Sequence, residues 1–209
     1  MVNLTRIYTR TGDEGTTALG DFSRTAKTDV RLQAYADANE ANAVIGVAVA
    51  TGGLTDEVVA TLTRVQNDLF DLGADLSTPL RQDPPHPPLR VRQQWIDELE
   101  ADCDRYLERL EPLRSFILPG GTPAAAQLHV ATTVVRRAER SAWAAREAYG
   151  TDEADDRGTG GVNPLTTTYL NRLSDLLFVL ARVANLAVGG DVLWQPGGGR
   201  EERPERRRG

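Results

Sequence analysis

Five stretches of this 209-residue chain repeat apolar residues every three to four positions, and glycine or proline bounds them. That period belongs to one-sided helices and conflicts with the two-residue alternation of a half-buried strand. From Thr28, TDVRLQAYADANEANAVIGVAVA places apolar residues at 32, 35, 38, 41, 44/45 and 48/49 and stops at Gly52-Gly53. The stretch TDEVVATLTRVQNDLFDLGADLST repeats the pattern at 58/59, 62, 65, 69, 72 and 76 and meets Pro79. Residues 79–90, PLRQDPPHPPLR, hold five prolines and read as a loop of polyproline character. VRQQWIDELEADCDRYLERLEPL, 91–113, reads as a third helix with a charged outer face. An apolar step, RSFILPGGTP, leads to Thr122 as N-cap and Pro123 at the first helical position of a long fourth helix that ends at Gly150. The acidic, glycine-rich TDEADDRGTGGVNP links it to a fifth helix opened by Asn163-Pro164. These elements predict an all-α fold, a five-helix antiparallel bundle over 28–190. An irregular arm, 1–27, precedes it, and a flexible tail, 191–209, follows with Trp194 as a candidate docking residue.

The charge balance narrows the function. The net charge is −6, yet the last ten residues carry five Arg against three Glu, so the body is more acidic still. An acidic body argues against a nucleic-acid surface. No apolar run approaches the roughly 20 residues that cross a bilayer, and the N-terminus lacks a hydrophobic signal core, so a cytoplasmic location is expected. The single cysteine, Cys103, reads as a packing residue, and no Cys/His cluster has metal-ligand spacing.

Polar chemistry concentrates in four places. The arm contains IYTRTGDEGTTALG, whose Thr hydroxyls and Gly backbone N–H groups are suited to cradling phosphate oxygens, with Arg10 and Lys27 supplying positive charge. It is not a Walker loop, since GxxxxGK(S/T) is absent. Asp13 and Glu14 would repel a bare triphosphate. Their presence suggests either a hydrated Mg²⁺ on the phosphates or carboxylates that order the loop by accepting backbone N–H bonds. In the fourth helix Arg136, Glu139 and Arg140 share a face; they are either a solvated set of helix ion pairs or charges on a central helix that need a ligand. In the fifth, Asn171, Asp175, Phe178 and Arg182 form one stripe, suited to a ligand wall, a subunit interface or a tolerated polar edge. Phe116, Ile117 and Leu118 before Pro119-Gly120-Gly121 either plug the bundle end or line a pocket.

Taken together, YTRTGDEGTT, FILPGG followed by LHVATTVVRRAER, and NRLSDLLFVLARVAN closely resemble the PduO-type ATP:cob(I)alamin adenosyltransferases in order and spacing, over roughly residues 5–190. The resemblance implies a homotrimer with sites between neighbouring subunits. It implies transfer of the 5′-deoxyadenosyl group of ATP to the cobalt of reduced cobalamin, with release of triphosphate. It further implies that Thr9, Arg10, Thr11, Gly12, Thr17, Ala18 and Lys27 line the ATP phosphates. Arg136, Arg137, Glu139, Arg140 and Asn171 would complete the ATP site, with Mg²⁺ on the triphosphate and its direct protein ligand open. Phe116 and Phe178 match aromatics that crowd the lower face of the corrin, so Arg136, Phe116 and Phe178 are the residues expected to carry catalysis. An electron-donating reductase and an adenosylcobalamin-dependent mutase are the implied partners.

The chain departs from the family at two positions. Many members have VDELN where this chain has ANEAN, so an aspartate is replaced by Asn39, and the arginine after HVA is here Thr132. In relatives these two form a salt bridge across the subunit interface. Losing both partners is nearly neutral, whereas losing one strands a charge. Asn39 and Thr132 are therefore expected still to face each other. Two other classes compete: a cobalamin carrier that hands cofactor to a mutase, and a structural bundle without ligand. The phosphate-type loop argues against a pure carrier, and the charged core helices against a ligand-free bundle. His86, in the proline loop, and His129, expected to be packed, are not needed as bases.

Overall fold

The computed structural model describes residues 8, 10–84, 86–154 and 160–198. Five helices dominate: α1 (Val30–Thr51), α2 (Asp56–Ser77), α3 (Gln93–Leu107), α4 (Pro123–Tyr149) and α5 (Pro164–Asn185), the last running into a single 3₁₀ turn, Leu186–Val188. Their starts are chemically marked. Asp29, Thr55, Thr122 and Asn163 each accept a first-turn backbone N–H, and proline opens α4 and α5. Gly52 and Gly150 end α1 and α4 with positive φ, 81° and 71°, a conformation that costs glycine little.

Cross-helix pairs give the directions. Asp29–Tyr149, Asp37–Ser141 and Glu40–Arg137 run α1 against α4. Arg146–Thr167 and Glu139–Asn171 run α4 against α5. Asp75–Asn163 and Asp68–Tyr169 run α2 against α5, and Arg105–Glu57 with Arg64–Asp102 runs α3 against α2. Helices α1, α3 and α5 thus point one way, α2 and α4 the other. The core is one cluster, with alanines 34, 38, 41 and 48 of α1 and 131, 138, 142 and 145 of α4 fully buried beside a leucine block from α2 and α5. Small residues let α1 and α4 approach closely while leucines fill the wider gaps. Cys103 belongs to this cluster, and burial pushes its thiol up to about 11.

Two buried polar hubs lock the end of the bundle where α1 begins. The Arg31 guanidinium donates to the carbonyls of Leu76, Gly160 and Gly161 and stacks 4.5 Å over the Tyr149 ring. Asp75, 1% exposed, accepts from Arg90, the Val91 N–H and Asn163, so it joins the end of α2, the exit of the proline loop and the cap of α5.

Three expectations change. The arm is not irregular throughout: β1 (Thr16–Ala18) pairs antiparallel with β2 (Arg24–Ala26). Helix α3 stops at Leu107 rather than running to Leu113, because the chain turns at 108–110 before Pro112. The start of the tail is paired: Leu118 N–H donates to Val192 O, and Trp194 N–H to Phe116 O. Residues 199–209 lie outside the described residues.

Candidate functional site

The loop of the arm is folded onto its own hairpin. Arg10 sits at φ 62° with its guanidinium 5.8 Å from the Tyr8 ring centroid. Asp13 N–H donates to Arg10 O, Gly15 N–H to Gly12 O, and Lys27 N–H to Gly15 O, which brings Lys27 beside the loop. The Lys27 side chain packs against Gly12, where a Cβ would stand 3.0 Å from its Nζ. From β2, Arg24 reaches across to Thr11 O at 2.9 Å and Thr16 Oγ1 at 2.5 Å. No motif in the sequence marks Arg24, because its role depends on the hairpin. Thr17 and Lys27 line a cleft of about 280 Å³ with Leu32, Gln33, Tyr35 and Ala36 of α1. Ala18 is in β1, paired with Arg24, and exposed. Thr9 lies outside the described residues.

A second polar group lies on α4 and α5. Glu139 accepts from Asn171 across the two helices at 3.1 Å, and Arg140 donates to the carbonyl of Arg136. Arg136, Arg140 and Asn171 are exposed, so this face offers two guanidinium groups to a ligand. Arg137 is not on it. One residue of rotation, about 100°, turns it toward α1, where it pairs with Glu40 and lies 3.6 Å from Asp37. Asp37 also accepts from Ser141 and from Gln33, which lines the cleft beside Lys27. The bonds of Lys27 and Arg24 stay within the arm, and those of Glu139, Arg140 and Asn171 within α4 and α5. Within one chain the arm lies against α1, and Arg136, Arg140 and Asn171 lie on α4 and α5.

The aromatics meet at the opposite end of the bundle. Phe116 (78% exposed) and half-buried Phe178 line a hollow of about 670 Å³ with Leu113, Ile117 and Trp194. Trp194 packs edge-on to Phe116 with centroids 5.9 Å apart, and His129 edge-on to Phe178 at 6.1 Å. His129 is buried and its Nε2 has no partner; burial lowers its pKa against an opposing pull from Asp191, so the ring is neutral. Arg182, expected on the exposed stripe with Asn171, is instead buried and paired with Asp191 at 2.8 Å. Asn39 is exposed beside Gly73 of α2, and buried Thr132 donates to Leu128 O of its own helix. Among the described residues no three His, Cys, Asp or Glu side chains converge to hold a metal.

A loop of threonines and glycines beside a lysine, a paired-arginine face and an aromatic hollow together suit a nucleotide and a large flat apolar ligand. Comparison with known proteins agrees. Residues 7–184 match the family model described as cobalamin adenosyltransferase. The chain is 60% identical over 199 residues to a corrinoid adenosyltransferase of Mycobacterium tuberculosis, covering 95% of this chain and 97% of that one. It is 41% identical over 178 residues to the corrinoid adenosyltransferase PduO of Salmonella typhimurium, covering 84% of this chain and 48% of that one. A solved variant of a PduO-type ATP:corrinoid adenosyltransferase from Lactobacillus reuteri, complexed with cobalamin and ATP, superposes with a TM-score of 0.80 at 33% identity, over 91% of this chain and 99% of that one. With a match over nearly the whole chain and a shared fold, the chain belongs to the cobalamin adenosyltransferase family.

Proposed function

We propose that this protein transfers the 5′-deoxyadenosyl group of ATP to the cobalt of cob(I)alamin, at sites formed between neighbouring copies of a homotrimer. The observation that supports the assembly is the placement of the two polar groups on different elements: the arm with Lys27 lies against α1, and Arg136, Arg140 and Asn171 lie on the α4/α5 face. A single nucleotide reaches both when the arm of one copy meets the α4/α5 face of the next. In that arrangement Thr9, Arg10, Thr11, Gly12, Thr17, Ala18 and Lys27 surround the phosphates. Arg136, Arg140 and the Glu139–Asn171 pair complete the site, and Arg137 shapes it from the arm side through Asp37 and Gln33. Mg²⁺ stays on the triphosphate.

The chemistry asks little covalent work of the protein. The electron pair of substrate cobalt(I) forms the bond to C5′ of the ribose as the C5′–O bond breaks. That bond's pair leaves with triphosphate, and cobalt becomes formally cobalt(III). The side chains hold ATP in line and neutralise the leaving group, for which Lys27 and the two arginines are suited. Phe116 and Phe178 exclude water and a lower axial ligand from the corrin, which eases delivery of the electron by a weak reductase and protects cobalt(I). No helix among the described residues is long and apolar enough to cross a membrane, and we place the reaction in the cytoplasm, with product passed to an adenosylcobalamin-dependent mutase.

The test is an anaerobic assay with purified protein, MgATP and chemically reduced cob(I)alamin, following cobalt–carbon bond formation by absorbance and triphosphate by chromatography. Equal amounts of the two products are expected. Tight cobalamin binding without either product would replace this reading with that of a carrier.

A further inference from the structure

Phe116 lies in the 108–122 connection, which has no helix or strand of its own, and it is largely exposed. A ring placed there holds one position only if its backbone is pinned from outside the loop. The pins come from residues 191–194, which run antiparallel to 116–118. Leu118 N–H donates to Val192 O and Trp194 N–H to Phe116 O, both at 2.8 Å, and Ser115 Oγ donates to Trp194 O at 3.0 Å. The Trp194 ring meets the Phe116 ring edge-on, at an interplanar angle of 70°. This strand is anchored in turn by the end of α5. Asp191 accepts from Arg182 Nε at 2.8 Å and from Asn185 Nδ2 at 3.3 Å, with the Arg182 and Asp191 side chains only 8% and 9% exposed. Arg182 also donates to Glu111 O. Asn185 bonds Gly120 O and accepts the Thr122 N–H, so the same two side chains grip both ends of the Phe116 loop. Gly121 admits Asn185 there, since a Cβ would stand 2.0 Å from its Oδ1.

We infer that residues 191–194 are a strap that sets the position of the Phe116 ring, with Asp191, Arg182 and Asn185 as positioning residues for the corrinoid hollow and Trp194 as the ring that braces Phe116. The inference rests on the proposed adenosyl transfer for its functional consequence, and on the hydrogen bonds alone for the strap. A buried ion pair is an expensive way to fasten a segment if nothing depends on where that segment lies. Here it fixes an exposed aromatic ring whose displacement by about 1 Å would be felt at the substrate.

Two variants of the full-length protein test it, each with two readouts. Backbone hydrogen exchange of the ligand-free protein reads the strap. Asp191→Asn and Trp194→Ala should each speed exchange at Leu118 by about tenfold or more and leave the helices as protected as in the wild type. Steady-state assays with preformed cob(I)alamin read the site. Both variants should raise the corrinoid KM about tenfold while the ATP KM stays within about twofold. Trp194→Phe, which keeps an edge-on ring, should return the corrinoid KM to within about threefold of wild type. Bound cob(II)alamin gives an independent signature: its electron paramagnetic resonance spectrum should show less of the form lacking a lower ligand in Trp194→Ala. Faster exchange at Leu118 with an unchanged corrinoid KM and spectrum would overturn the inference while leaving the transferase reading intact. Equal losses for ATP and corrinoid with deprotected helices would overturn it too, as a merely structural role. Wild-type protein that forms no adenosylcobalamin would end the transferase reading and the functional role of the strap with it, whatever the exchange data.

Discussion

Replacing Asp29 with alanine should loosen the arm and the bundle together. Its carboxylate takes three hydrogen bonds from three elements: the Arg31 N–H at 2.7 Å as the cap of α1, the Thr25 hydroxyl of β2 at 2.8 Å, and the Tyr149 hydroxyl at the end of α4 at 2.5 Å. Loss of an N-cap costs about 1 kcal/mol, and a hydrogen bond to a charged group contributes about 1.5–3 kcal/mol. Asp29 is only half-buried, so water recovers part of this, and the Thr25 bond adds little. The net expectation is about 2–3 kcal/mol, a fall in Tm of about 4–12 °C for a chain of this length. The pH dependence has a definite sign. Burial alone would raise the Asp29 pKa, but the bonds from Tyr149, Arg31 and Thr25, with the Arg31 charge, outweigh it and hold it below 3.8. A carboxylate lowered by folding stabilises fully above its ordinary value, and that contribution fades as pH falls through the lower folded value. Thermal unfolding should therefore give a constant gap between wild type and Asp29→Ala at neutral pH and a narrowing gap below pH about 4. Because Thr25 sits two residues before Lys27, the ATP KM should rise as well. A variant within about 0.5 kcal/mol of wild type at pH 7, the ordinary range of surface substitutions, would refute this.

Further predictions follow from other hubs. Asp75→Ala strips Arg90, Val91 and Asn163 of a shared buried acceptor and should cost about 3–5 kcal/mol in urea unfolding; a loss under about 1 kcal/mol would mean water replaces it. Thr132→Arg puts an unpaired charge at a buried site and should dissociate the proposed trimer or lower activity, with Asn39→Asp added in the same chain restoring both. A fully active trimeric single variant, sized by light scattering, would end the idea of paired replacement. His129 is held neutral by burial, with Asp191 opposing, so the wild type should lose stability as pH falls below 6.5, where the unfolded chain binds the extra proton. His129→Gln should flatten that slope in urea titrations; an unchanged slope would assign it elsewhere.

Helix positions were legible because each is written locally: apolar spacing, Thr122 before Pro123, Asn163 before Pro164, glycine at 52 and 150. What the sequence left unread depends on partners far along the chain. The three-residue strands of the arm are too short to show a period of two, and they exist through the Thr16–Ala26 and Ala18–Arg24 pairings. The paired start of the tail needs residues 116–118, more than 70 positions away. Arg182 read as part of an exposed stripe, because helical spacing gives a face but not what a later segment lays over it; Asp191 covers it. Arg137, neighbour to Arg136 in sequence, is a neighbour of α1 in space. Arg31 gave no signal at all, since its acceptors are backbone carbonyls of α2 and of the 150–163 link. The motifs named the expected site residues; their placement on separate elements, the arm against α1 and the arginines on α4, was written in the packing alone.

That division is the most direct point of attack. Co-expression of Lys27→Ala and Arg136→Ala chains with different affinity tags, and purification through both tags, isolates mixed assemblies of two separately inactive variants. If the arm of one copy serves the α4/α5 face of the next in a trimer, every mixed assembly has about a third of its sites with both wild-type halves, and adenosylcobalamin formation should return to a comparable fraction of wild type. Mixed assemblies as inactive as either parent would contradict a site shared between copies.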